Sequence, residues 1–128
     1  MKINPKQLEA VTALEGAKRY ATFIKVAADQ RQVWGLFSDG WALAIADDGQ
    51  QAFPLWPARE YAALCSSGAW EGYQPREIDL DTLFENLLPK LAEKKTLAAV
   101  FPTPNDKGVT PELTVLESDL REELNKIE

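Results

Sequence analysis

The spacing of apolar positions changes period several times along the chain. Leu8, Val11 and Leu14 recur at helical spacing behind Asn4-Pro5, an N-cap followed by proline in the first turn. Gly16 interrupts. A second helix follows, with Tyr20, Phe23, Ile24 and Ala27 on one face and Lys18, Arg19 and Lys25 mostly off it. At Val33 the pattern shortens to a strand, Val33-Trp34-Gly35-Leu36-Phe37. Ser38-Asp39-Gly40 is a turn signal, and Trp41-Ala42-Leu43-Ala44-Ile45 reads as a second strand. Asp47-Asp48-Gly49 turns again into a third strand, residues 51–55. These three runs predict an antiparallel meander. Pro54 has no N–H for a ladder, which puts the third strand at an edge or ends it there.

Pro57 opens a further helix with Tyr61, Leu64 and Cys65 on its apolar face and Gly68 near its end. Arg76-Glu77-Ile78 reads as a short strand. Asp79 or Asp81 then caps a helix bearing Leu80, Leu83, Phe84, Leu87, Leu88 and Leu91, which Pro89 should kink or divide. Leu97-Ala98-Ala99-Val100-Phe101 is a continuous apolar run, as in a buried strand. After a loop over 102–108, Leu113, Leu116, Leu120, Leu124 and Ile127 line one face of a final helix. The expected architecture is α+β. One domain over 1–128 carries N-terminal helices in 1–30, the meander in 33–55 and alternating helices and strands in 57–128. Its sheet, antiparallel or mixed, packs against the helices.

A chain of 128 residues can bury a core without disulfides or metal, and Cys65 is the only cysteine. No apolar stretch approaches the ~18 residues of a membrane span, and the first residues lack the apolar run of a signal peptide. The expected location is cytoplasmic, with no membrane partner. Net charge is −6. Such an acidic balance, with no basic stripe, argues against nucleic acid.

The chain has no histidine, which removes Ser-His-Asp triads, Cys-His pairs and imidazole metal ligands. Cys65 sits at an apolar helix position and reads as core. Asp47-Asp48, Asp79 with Asp81, and Asn105-Asp106 are the candidates for carboxylate chemistry, yet each sits at a turn, cap or loop that explains it. No calcium loop, phosphate loop or dinucleotide fingerprint is present. No catalytic residue, cofactor or metal site is expected.

All four tryptophans fall between residues 34 and 70. Trp34, Phe37, Trp41 and Phe53 belong to the meander and are expected in the core beneath it. Trp56 and Trp70 stand beside helix and loop punctuation, close to Arg59 and Arg76. Trp, Tyr and Arg are the side chains that anchor interfaces. Trp56, Arg59, Trp70, Tyr73 and Arg76 are therefore the candidate binding surface.

Val33-Trp34-Gly35-Leu36, Asp39-Gly40-Trp41-Ala42-Leu43, Pro54-Leu55-Trp56-Pro57 and Glu60-Tyr61-Ala62 carry a resemblance. So do Gly68-Ala69-Trp70, Tyr73-Gln74-Pro75-Arg76, Val100-Phe101-Pro102-Thr103-Pro104 with Lys107-Gly108-Val109, and Asp119-Leu120-Arg121-Glu122-Glu123-Leu124. Together they resemble the bacterial domain-of-unknown-function family numbered 2750, over most of 18–124. That resemblance implies no activity and no catalytic residues. In element order alone the chain is also similar to SseB-type domains, which implies a secretion-related or toxin-immunity adaptor role. It departs from that pattern's Asn-Pro-Gly loop, with Pro104-Asn105-Asp106 and glycine delayed to Gly108.

The leading expectation is a non-enzymatic cytoplasmic bacterial module that binds another protein, immunity- or adaptor-like. The alternative is a small-ligand-binding regulatory domain using an aromatic groove. A carboxylate-only hydrolase comes third. Homo-oligomerisation is left open, because one core can occupy the single apolar stripe of the final helix.

Overall fold

A computed structural model describes residues 3–127. Helix α1 is Pro5–Thr12, where the Asn4 side chain accepts from the Gln7 N–H at 2.8 Å. Helix α2 is Gly16–Gln30, burying Phe23, Ile24, Ala27 and Ala28. It also buries Arg19, which was expected off the apolar face. Strands β1 (Gln32–Phe37), β2 (Ala44–Ile45) and β3 (Gln51–Leu55) follow, then helix α3 (Arg59–Leu64) and a 3-10 turn at Gly68–Trp70. Strand β4 is Gln74–Asp79. Helix α4 (Leu80–Thr82), a π turn (Leu83–Leu87) and helix α5 (Leu88–Glu93) then run end to end. Strand β5 (Leu97–Val100) and helix α6 (Leu113–Ile127) complete the chain.

The architecture is α+β, and its strands pair differently from a simple meander. Strand β1 pairs antiparallel with β4, with Val33 opposite Ile78 and Gly35 opposite Arg76. A second, mixed sheet has the order β2-β3-β5, with β3 and β5 parallel. The first predicted hairpin shrinks to one bridge, Phe37 to Trp41. Asp39 takes a left-handed φ of 59° there, and the Ala42 N–H reaches Leu36 O at 2.8 Å. The chain then leaves β1, whose edge is taken by β4. Trp34 and Trp56 exchange both backbone hydrogen bonds at 2.8 Å, and this joins the two sheets.

Pro54 lies in the central strand of the mixed sheet, not at an edge. Backbone directions alternate along a strand. Trp56 sends its N–H toward Trp34. Pro54, two residues earlier, faces the same side, in the gap between the end of β2 and that bridge. No ladder bond is asked of its missing N–H.

Pro89 divides its helix without ending it. The Leu88 N–H bonds back five residues to Leu83 O, widening the helix just before the proline. A proline ring clashes with the carbonyl four residues earlier, and the wider turn relieves this. Asp79 is the cap, accepting from the Thr82 N–H at 3.0 Å.

Phe23, Leu36, Leu55, Trp56, Leu83, Phe101, Leu116 and Leu120 form the fully enclosed centre of the core. One face of the mixed sheet, Phe53, Leu55, Ala98 and Val100, packs into it. Leu64, expected inside, points outward from α3. Among the described residues no helix is long and apolar enough to cross a membrane.

Candidate functional site

The five candidate surface residues do not share one patch. Trp56 is a correction: it is 0% exposed, and its Nε1–H donates to Pro102 O at 2.8 Å. The backbone bridge to Trp34 fixes this residue between the sheets and turns its indole inward. Trp70 is half-buried and meets Trp56 edge-on, with centroids 6.0 Å apart. Tyr73 is half-buried, and its carbonyl accepts from Ser66 Oγ at 2.6 Å. Arg59 is exposed at the start of α3. Arg76 is exposed and lies 4.3 Å over the Phe37 ring, a cation–π contact. Trp70 lines a groove of about 640 Å³ with Ala44, Ala52, Ala99 and Pro102, on the small-residue face of the mixed sheet. Arg59, Tyr73 and Arg76 are not on its walls.

The aromatic residues expected in the core build a different feature. Phe53 is buried, but Trp34, Phe37 and Trp41 are half-buried. The Trp41 indole lies flat enough on β1 that a Cβ at Gly35 would come within 2.9 Å of its ring. Glycine at 35 permits that approach. Trp41 also meets Phe37 at 5.1 Å and Phe53 at 5.6 Å between centroids.

Trp41 and Phe53 form the floor of a groove of about 770 Å³ between the mixed sheet and the helix over 80–93. Leu87 and Leu91 form the far wall, and Leu43, 41% exposed, stands at the lip. Asn86 and Leu87 reach the groove from the π turn. Such turns recur at functional sites because they re-aim side chains that a regular helix would place elsewhere. Lys90 and Lys94 line the helix side, and Glu77 and Asp79 the β4 side. An apolar floor with a few polar groups on the rim is the usual form of a binding site.

Asp79, on the groove's wall, serves as a helix cap. Hydrogen bonds from Thr82 hold the Asp79 carboxyl below its ordinary value. That is the direction of a helix cap, opposite to that of a general acid working at neutral pH. Burial pushes the Cys65 thiol up to about 11, so it is protonated at neutral pH and no activated nucleophile. The Asp47 carboxyl is lowered by its bond from Lys107 Nζ at 2.6 Å, an exposed clasp between the β2–β3 turn and the loop over 102–108. Among the described residues no cluster of His, Cys, Asp or Glu could hold a metal ion.

Sequence reasoning missed Arg19. Its Nε donates to Phe101 O at 3.1 Å and its Nη1 to Leu14 O at 2.7 Å. Its Nη2 stands 3.2 Å from Asp106 Oδ1, close enough for ion pairing but without hydrogen-bond alignment. The side chain thus holds the left-handed Phe101 (φ 59°) against α2. The signal was present: Arg19, Phe23 and Ala27 are spaced by four and share a helical face.

Residues 20–120 match the family model described as Protein of unknown function (DUF2750). The chain belongs to DUF2750. No curated protein matches it. The DUF2750 match takes in every wall of the Trp41–Phe53 groove and leaves α1 and Arg19 outside.

Proposed function

We propose that this DUF2750 chain is a non-enzymatic protein-binding module of the bacterial cytoplasm, immunity- or adaptor-like in class. It receives an apolar anchor of its partner in the Trp41–Phe53 groove. The observation that carries this reading is an aromatic floor opening onto an exposed Leu43 beside β2, the outer strand of the mixed sheet. An isolated exposed leucine is ordinary, whereas one at the mouth of an apolar groove extends its contact surface. Carboxylate-only hydrolysis has no comparable support, since Asp79 caps a helix and Asp47 is bonded to Lys107.

Leu43→Glu tests the proposal, because the side chain is exposed and its loss leaves the core intact. Affinity capture from native lysate, read by mass spectrometry, should recover a partner with the wild type and lose it with Leu43→Glu. Equal recovery by both proteins, or none by either, overturns the reading.

A second reading is favoured by the groove's size. About 770 Å³ falls within the range of small-molecule sites. A regulatory ligand domain would show a thermal shift with a metabolite and no retained partner.

A further inference from the structure

We infer that the Trp41–Phe53 groove selects an apolar protein segment flanked by acidic residues. This rests on the protein-binding reading above and adds the chemistry of the partner.

Lys90 and Lys94 stand one helical turn apart on the same groove wall. Among the described residues neither ammonium has an ion-pair partner. Lysines near the end of a helix are favoured by its dipole, which accounts for their place along the axis. It does not account for both facing the groove. Lys95, the next residue, does not line it. In a chain of net charge −6, two unpaired cations on one lip of an apolar trench are a local reversal of the molecule's field.

The β4 end of the groove is acidic, with Glu77 and Asp79. Asp79 is committed to the Thr82 N–H. The acidic groups stand at the start of the helix over 80–93 and the lysines near its end, so the groove is polarised along that helix and an incoming segment has one favourable orientation. Its apolar anchor rests on Trp41 and Phe53, and its carboxylates lie along α5. The lysine stems lengthen the apolar wall while their charged ends reach the rim. Rim charges of this kind select partners and speed association, and salt weakens them.

Three synthetic peptides test the inference. Each carries the same leucine and phenylalanine anchor, flanked by glutamates, glutamines or lysines. Affinities are measured by titration at low and high salt against the wild type and a Lys90→Glu, Lys94→Glu double variant. Both lysines are exposed, and circular dichroism confirms that the variant is folded. The glutamate peptide should bind the wild type about tenfold tighter than the glutamine peptide, with an advantage that shrinks in high salt. The double variant should prefer the lysine peptide. Equal affinity for the glutamate and glutamine peptides, or an order unchanged in the double variant, overturns the inference. If a native partner is still captured through Leu43 while the peptides show no charge preference, only the acidic assignment falls. If no peptide binds and no partner is captured, the protein-binding reading falls with it.

Discussion

The Trp56 indole donates its N–H to Pro102 O at 2.8 Å, locking the residue that follows β3 to the loop that follows β5. Cys65 Sγ reaches the same carbonyl at 3.5 Å. One buried acceptor thus holds α3, the end of β3 and the loop over 102–108 together. Trp56→Phe keeps an aromatic ring but removes the donor and leaves a void. The expected loss is about 2–3 kcal/mol of stability, read by denaturant unfolding. An unchanged midpoint would show that this bond does not help hold the loop.

Tyr20 links α2 to α6 by donating to Asp119 Oδ2 at 2.5 Å. Burial, and then the Asp119 carboxylate, raise its ionisation above the ordinary value of 10.0. The folded value is the higher one. The stabilisation is therefore fully present below about pH 10 and is lost as pH rises through the folded value. Tyr20→Phe should cost about 1 kcal/mol at neutral pH. The gap between wild type and variant should narrow above pH 10, and a constant gap in paired unfolding titrations would refute the linkage.

Gly108 has φ of 87°, and a Cβ there would come within 2.7 Å of Val100 O. Backbone atoms on both sides leave no flexible group to yield. Gly108→Ala should destabilise by about 3 kcal/mol, from strain and close contact together. Thermal unfolding measures it, and a loss under about 1 kcal/mol would mean that the loop re-forms elsewhere.

Gly35→Ala acts on the groove through its floor. The added methyl would meet the Trp41 ring at 2.9 Å. Because Trp41 is only half-buried, the indole can move outward. The expected stability cost is about 1–3 kcal/mol, with a red shift of tryptophan emission as the ring gains solvent. Binding at the groove should weaken. Intact affinity despite a shifted emission would place the partner's anchor away from Trp41.

The candidate site was only partly legible along the chain. Trp70, expected on a shared binding surface, lines a groove without the other four candidates, and Trp41 was assigned to the core although it forms a groove floor. Trp56 was placed on the surface because it adjoins a helix start, yet its backbone bridge to Trp34 draws it inside. The groove itself draws on Trp41 and Leu43 ahead of β2, on Gln51 and Phe53 of β3, and on the continuous stretch from β4 through the helix over 80–93, segments that no local pattern brings together.

The sequence by itself determined the helical stripes, several caps and the buried strand near the C-terminal helix. Asn4 caps a helix, Asp79 or Asp81 marks another helix start that the structure assigns to Asp79, the spacing of Leu116 and Leu120 sets the buried stripe of α6, and 97–101 reads as a buried strand, formed over 97–100. These follow from forces acting within a few residues: cap hydrogen bonds, helical periodicity and side-chain alternation. Only the tertiary structure decided that β1 pairs with β4, that Pro54 is central and that Arg19 is buried. A strand's pattern states which face is apolar but not which edge it joins. A buried guanidinium is tolerable only when carbonyls such as those of Leu14 and Phe101 arrive from elsewhere in the chain.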